Sequence, residues 1–308
     1  MYFDRKMNNC VYQIPQIIPS EKNNNILIGI TGNGESKDFS CLIFNNTPDY
    51  KTMYNGQCFP LSWYEERKSV QGDLFESGGE DRWIRHEAVT DFILKRAREQ
   101  YGGKVQKEDI FYYVYGFLHS PAYRKTFAND LKKMLPRLPL VEKAEDFWAF
   151  CRAGRELANL HLHYEDVEPC PEVVIDVAPS VGANNYSPLQ SVPSETVPQN
   201  VYRVEQMRFG KGAGKEKDRS VIVYNPYITL RNIPLRAYDY VVNGKSAIEW
   251  VMERYCDKTD KKSGIRNDAN QWGIEHGNPR YPLDLLQSVI TLSLRTLDIV
   301  DSLPEVSF

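Results

Sequence analysis

A chain of 308 residues with 42% hydrophobic content is long enough to bury a full core, which excludes disorder and fits one large domain or two closely packed ones. Its formal net charge of -3 excludes a surface coated in positive charge, so any anionic polymer it binds must meet a local basic patch. Six cysteines (Cys10, Cys41, Cys58, Cys151, Cys170 and Cys256) include no C-x-x-C pair, and no apolar run reaches the roughly 18 residues of a bilayer span. Neither a zinc site, a dense disulfide framework nor a membrane helix is encoded. With no apolar signal core in MYFDRKMNN, these features predict a cytoplasmic protein with reduced thiols.

From Val11 to Trp63, β-branched and aromatic runs such as Ile26–Ile30 and Phe39–Phe44 alternate with Asn, Gly and Pro, which predicts short strands. Gly72 to Asp81 reads as a polar connection. After it, Ile84, Ala88 and Phe92, flanked by Val89, Ile93 and Ala97, predict a helix of about five turns. Phe111, Val114, Tyr115 and Leu118 continue the helical period as far as Ser120–Pro121, and Pro121 suits the first turn of a next helix. That helix carries Phe127, Leu131 and Met134 and is expected to stop near Pro136. Phe147, Phe150, Gly154, Leu157 and His161 mark one face of a further helix. A Pro/Ser/Asn-rich segment from Pro179 to Asn200 reads as a linker or long surface loop. Beyond it, Tyr202–Phe209 and Val221–Tyr224 predict strands joined by the glycine-rich loop Gly210–Arg219. Ala247, Val251 and Tyr255 define one late helix, and Leu283, Leu286, Ile290, Leu294 and Leu297 the closing one. The expectation is an α+β fold: short β-strands over 1–75, a helical group over 76–178, a linker over 179–200, and a second β-layer with a hairpin and C-terminal helices over 201–308.

Several catalytic motifs fail on their surroundings. The glycines of Ile26–Gly34 are followed by another strand rather than by the helix a cofactor loop needs, so they read as a hairpin turn. Asn225-Pro226-Tyr227 lacks one proline of the adenine-methyltransferase motif. Gly244-Lys245-Ser246 imitates the end of a P-loop, but Asp239 stands where the first glycine belongs. His161 and His163 have no third ligand at metal spacing, and His161 lies on an apolar face, which favours a core histidine.

The stretch Phe111–Pro139, FYYVYGFLHSPAYRKTFANDLKKMLPRLP, interleaves aromatic, basic and proline residues in a way that a generic helical core does not require. It resembles the C-terminal target-recognition region of the type ISP restriction-modification enzymes. AGRELANLHLHYE (Ala153–Glu165), VYRVEQMRF with SVIVYN (Val201–Asn225), YVVNGKSAIEWVMERY (Tyr240–Tyr255) and KTDKKSGIRNDANQW (Lys258–Trp272) agree with it, as do YFDR (Tyr2–Arg5) and QCFPLSWYE (Gln57–Glu65). The resemblance covers nearly the whole chain and implies the C-terminal piece of a longer polypeptide, with Met1 then marking an artificial start or a short gene.

It implies further that the chain recognises a specific sequence in double-stranded DNA and presents an adenine to a methyltransferase part outside it. The chain itself would be non-catalytic and would work with the methyltransferase and translocase parts of one polypeptide. No cofactor is expected here; S-adenosylmethionine, ATP and magnesium would belong to the missing parts. A stand-alone adenine methyltransferase and a protein-interaction module remain as alternatives. The candidate contacts fall in three clusters: Tyr123, Arg124, Lys125, Lys132, Lys133 and Arg137; Lys211, Lys215, Lys217 and Arg219; and Lys258, Lys261, Lys262, Arg266, Asn267 and Asn270. Cations at these places can set register on phosphates, and amides can satisfy adenine edges. The Gly210–Arg219 hairpin is the leading candidate for base reading, being narrow enough to enter a major groove. The same clusters could equally be solvated faces.

Overall fold

The computed structural model describes residues 14–20, 22–35, 37–49, 51–67, 82–178, 199–214 and 216–308, an α+β arrangement of helices and small antiparallel sheets. The opening YFDR, the polar connection over 72–81 and most of the Pro179–Asn200 segment lie outside the described residues. The chain divides into two units, Met1–Leu162 with Ile299–Phe308, and His163–Asp298.

In the first unit a short helix α1 (Ile14–Ile17) precedes a sheet of β1 (Leu27–Ile30), β2 (Cys41–Phe44) and β3 (Gln57–Pro60), with β1 central and all pairs antiparallel. The glycine stretch after Ile26 therefore belongs to a β1–β2 hairpin. A second hairpin joins β4 (Ser62–Glu66) to β5 (Trp83–Glu87), where Trp63 stacks on its cross-strand partner His86 at 4.3 Å. This corrects the five-turn helix expected from Ile84. Ile84, Ala88 and Phe92 share helical spacing by coincidence, since α2 (Asp91–Tyr101) begins only after the strand ends and leaves Phe92 71% exposed.

Helices α3 (Lys107–Phe117) and α6 (Ala144–Leu162) form the core of this unit. A reciprocal capping box between Gln106 and Asp109 starts α3, satisfying two N–H groups that a helix end leaves open. The two helices meet backbone to backbone: a Cβ on Gly154 would stand 1.9 Å from the carbonyl oxygen of Tyr112, and one on Gly116 2.3 Å from that of Phe150. Around this contact Tyr113, Tyr115, Phe117, Phe147 and Phe150 are buried. The Phe111–Ser120 part of the stretch is thus largely interior, whereas Lys125, Lys133 and Arg137 beyond it are exposed. Three tyrosines fasten the proline-rich segment at its end, Tyr101, Tyr113 and Tyr123 donating to the carbonyls of Val141, Pro139 and Arg137 at 2.5, 2.7 and 3.2 Å. The single helix expected from Pro121 to Pro136 is instead two, α4 (Pro121–Thr126) and α5 (Ala128–Leu131), because Phe127 leaves helical geometry at ψ 20°. Ser120 caps α4 through the Tyr123 N–H, with Pro121 in its first turn as the sequence requires.

A polar group is sealed into this interior. The Tyr115 hydroxyl meets His161 Nδ1 at 2.6 Å, and His119 Nδ1 donates to the Tyr115 carbonyl at 2.8 Å. Arg124 turns inward, its Nε donating to the Leu118 carbonyl at 2.6 Å and its Nη2 reaching Cys41 Sγ at 3.3 Å. Burial, reinforced by the Arg124 charge, pushes His161 down to about 3 and His119 well below its ordinary value.

The second unit is built on a four-stranded antiparallel sheet in the order β6 (Val174–Val177), β9 (Ile228–Arg231), β8 (Lys217–Val223), β7 (Arg208–Lys211). Val201 to Met207 belong to a one-turn helix and an irregular segment, so only the end of the strand expected over Tyr202–Phe209 forms. The two-residue strands β10 (Val241–Val242) and β11 (Lys245–Ser246) turn through Asn243 and Gly244, both at positive φ, in the manner that Asn-Gly favours. Ser246 then caps α7 (Ala247–Arg254) through Glu249, and Lys245 pairs with Glu253. The Gly-Lys-Ser triplet is accordingly a turn and a helix cap. A further hairpin of β12 (Asp257–Thr259) and β13 (Arg266–Asp268) follows, then α8 (Gln271–Glu275) and the long α9 (Tyr281–Asp301). Ile222, Tyr224, Ile228, Leu230, Ile248, Leu283, Leu286 and Ile290 form the core.

Candidate nucleic-acid interface

The first cluster belongs to the first unit, and its members differ in fate. Tyr123 is buried with its hydroxyl on the Arg137 carbonyl, and the half-buried Arg124 directs Nε to Leu118 and Nη2 to Cys41. Lys132 pairs with Asp38 at 2.9 Å. Lys125, Lys133 and Arg137 are exposed, and their side chains make no ion pair among the described residues.

The second cluster sits on the β7–β8 hairpin. Gly210 faces Asp218 and Lys211 faces Lys217, whereas Phe209 faces Ile222, so Arg219, Ser220 and Val221 bulge out of register. The bulge is held by Ile233, which donates to the Ser220 carbonyl at 3.0 Å, and by Tyr238, which donates to that of Arg219 at 2.8 Å. It turns the Arg219 guanidinium onto Glu249 at 3.0 Å, with Phe209 and Tyr238 beside it at 5.5 and 5.3 Å. Asp218 is occupied by the Ser220 N–H and hydroxyl, which hold its carboxyl below the usual range. What remains outward is Lys211 opposite Lys217, two like charges in directly paired positions. Such a pair is unfavourable until an anion lies against it. Lys215 lies outside the described residues.

The third cluster rides on the β12–β13 hairpin, whose base is an ion-pair quartet. Arg203 bridges Asp257 and Asp268 at 2.6 and 2.8 Å, and Arg266 forks onto Asp257 at 2.8 and 2.5 Å. The Arg266 hydrogen bond, outweighing burial, holds the Asp257 carboxyl down to about 2. Asn270 is buried; its amide donates to the Val204 carbonyl and accepts from the Val204 N–H, both at 2.8 Å. Asn270 therefore builds the hairpin, and Arg266, though exposed, is engaged with Asp257. Lys258, Lys261, Lys262 and Asn267 are exposed. Sequence reading missed Arg203, Asp257 and Asp268, and missed the strands because each has three polar-rich residues. The available signal was the turn Asp260-Lys261-Lys262-Ser263-Gly264, in which Asp260 accepts from the N–H groups of Lys262 and Ser263 and Gly264 supplies φ +70°.

The Asn-Pro-Tyr motif is equally structural. Asn225 is buried, its amide donating to the carbonyls of Val201 and Arg203 and accepting from the N–H groups of Tyr227 and Ile228, all between 2.7 and 3.0 Å. No face of it is left for a base. Among the described residues, no group of three or more His, Cys, Asp or Glu side chains is disposed to hold a metal ion, and no helix is long and apolar enough to cross a membrane.

The family model described as the Type ISP C-terminal specificity domain matches residues 1–285. No curated protein matches the chain. Among solved structures, the chain is similar to the ATP-dependent Type ISP restriction-modification enzyme LlaBIII bound to DNA, at 35% identity and a TM-score of 0.76, over 96% of this chain and 17% of that one. It is also similar to a nuclease-deletion mutant of the Type ISP enzyme LlaGI in complex with a DNA substrate mimic, at 36% identity and a TM-score of 0.73, over 99% of this chain and 23% of that one. A third likeness, to DrdV in complex with DNA, has 29% identity and a TM-score of 0.76 and spans 100% of this chain and 27% of that one. The chain thus spans about a quarter or less of the length of these proteins.

Proposed function

The chain belongs to the Type ISP C-terminal specificity domain family, and from that membership we propose that it recognises a short sequence in duplex DNA for a restriction-modification enzyme. The observation that carries the reading is that segments similar to nearly all of this chain occur in enzymes whose structures contain DNA. Physically, the Lys211–Lys217 pair and the exposed Lys125, Lys133 and Arg137 supply cations for phosphates without first having to break an ion pair. Catalysis, and with it S-adenosylmethionine, ATP and magnesium, is assigned to methyltransferase and translocase parts that act beside this chain. The specificity part would hold the duplex while the methyltransferase part extrudes the target adenine.

The experiment is a binding isotherm of the chain on a mixed-sequence duplex at several salt concentrations. Affinity should fall with a log–log slope of about -0.9 per phosphate neutralised, and Lys211→Ala with Lys217→Ala should make it shallower by up to about 1.8. Undetectable binding at low salt, or a slope near zero, overturns the reading.

A further inference from the structure

Cross-strand partners in a hairpin share a face, and the β12–β13 hairpin has two faces with different chemistry. Asp257 faces Asp268 and Thr259 faces Arg266, which places the quartet with Arg203 on one side, where its charges satisfy one another. On the other side Lys258 faces Asn267 alone. Both are exposed, and the Asn267 carboxamide makes no hydrogen bond among the described residues.

The hairpin is also fixed at both ends. Asp257 donates its N–H to the Glu205 carbonyl at 2.9 Å, and Arg203 ties both strands from below. At the tip, Asp260 accepts from the N–H groups of Lys262 and Ser263 and from the Ser263 hydroxyl at 3.0, 2.8 and 2.9 Å. A reading side chain on such a ribbon loses little freedom when it binds. On the β7–β8 hairpin Arg219 is held by Glu249 and Arg208 by Gln206, and Lys211 and Lys217 are point charges that suit phosphate.

We propose that the Lys258–Asn267 face of this hairpin enters the major groove and that Asn267 reads an adenine. Its amide donates to N7 and its oxygen accepts from the N6 amino group, while Lys258 fixes the neighbouring phosphate. A two-stranded ribbon fits a groove roughly 12 Å wide, and base reading passes from the first hairpin to this one. The inference rests on the DNA-recognition reading above.

The test incubates the chain with a pool of randomised duplexes at low salt and sequences the bound fraction. The unaltered chain should enrich a motif containing adenine. Asn267→Ala should lose the adenine preference at one position by about 5- to 150-fold and keep the others. Asn267→Asp should shift that position towards cytosine, whose N4 amino group donates to a carboxylate. Lys258→Ala should weaken all sequences alike and reduce the salt slope by about 0.9. Circular dichroism on each variant checks that the fold is kept. If both Asn267 variants bind and enrich the original motif, the inference fails while the domain's function stands. Binding by the unaltered chain without any enriched motif removes the sequence-recognition reading together with the inference. Absence of all DNA binding by the unaltered chain removes the functional reading and this inference with it.

Discussion

Asn225→Ala isolates what the Asn-Pro-Tyr turn does. The side chain is buried and saturates four backbone groups, so its removal leaves the N–H groups of Tyr227 and Ile228 and the carbonyls of Val201 and Arg203 short of a partner. Each orphaned buried N–H costs about 1–3 kcal/mol, and the carbonyls, with a second lone pair, add less, which sets the loss at about 2–6 kcal/mol. Urea unfolding followed by far-ultraviolet circular dichroism should show a lower midpoint. Hydrogen exchange should quicken first around the β8–β9 turn. Asn225→Asp provides a second reading with a sign. It keeps both acceptor positions but sets a carboxylate against two carbonyls at 2.7 and 3.0 Å, so the fold favours the protonated form and the variant should gain stability as pH falls through the carboxyl range. A loss below about 1 kcal/mol in the alanine variant, or stability in the aspartate variant that is flat with pH, would refute the structural account of this turn.

Gly154→Ala forces a methyl group into the Tyr112 carbonyl and should destabilise the first unit by about 3 kcal/mol or more, read as a lower thermal midpoint; an unchanged midpoint would mean that α3 and α6 are not so close. His161 has a folded pKa pushed down to about 3 against about 6.5 when unfolded, so its contribution is fully present above pH 6.5 and is lost as pH falls towards 3. His161→Gln should flatten the fall in stability across that window, at the cost of lower stability near neutrality, and an unaltered pH slope would count against the sealed cluster. Asp257, held at about 2, contributes above its unfolded value near 3.9 and loses this as pH drops between the two. Asp257→Asn should therefore remove part of the acid sensitivity between about pH 4 and 2, measured by the same unfolding series.

What the sequence made legible was decided by length and period. Helices α3, α6 and α9 repeat apolar residues over several turns, and their buried faces, including Phe147, Phe150, Leu157, Leu286 and Ile290, were readable from spacing alone. Strands of two or three residues such as β10–β13 carry too few side chains to show a period, and only their turn residues announce them. The candidate contacts suffered from a different ambiguity. Tyr, Arg and Asn are apt for nucleic acid because they make directional hydrogen bonds, and for the same reason Tyr123, Arg124 and Asn270 were usable for closing backbone groups inside the protein. Lysines are less ambiguous, since an ammonium is rarely buried, and Lys125, Lys133, Lys211, Lys217, Lys258, Lys261 and Lys262 are all exposed.

The way the β12–β13 hairpin is anchored bears on how such a protein changes its preferences. Its fixing contacts involve Arg203, Asp257, Asp268 and the Asp260 turn, none of which belongs to the Lys258–Asn267 face. Mutation on that face therefore leaves the interior intact, and new side chains can be tried there without first being screened for foldability. On the proposed reading, substitutions at Asn267 should alter sequence preference, and those at Lys258 overall affinity, while leaving stability within about 0.5 kcal/mol.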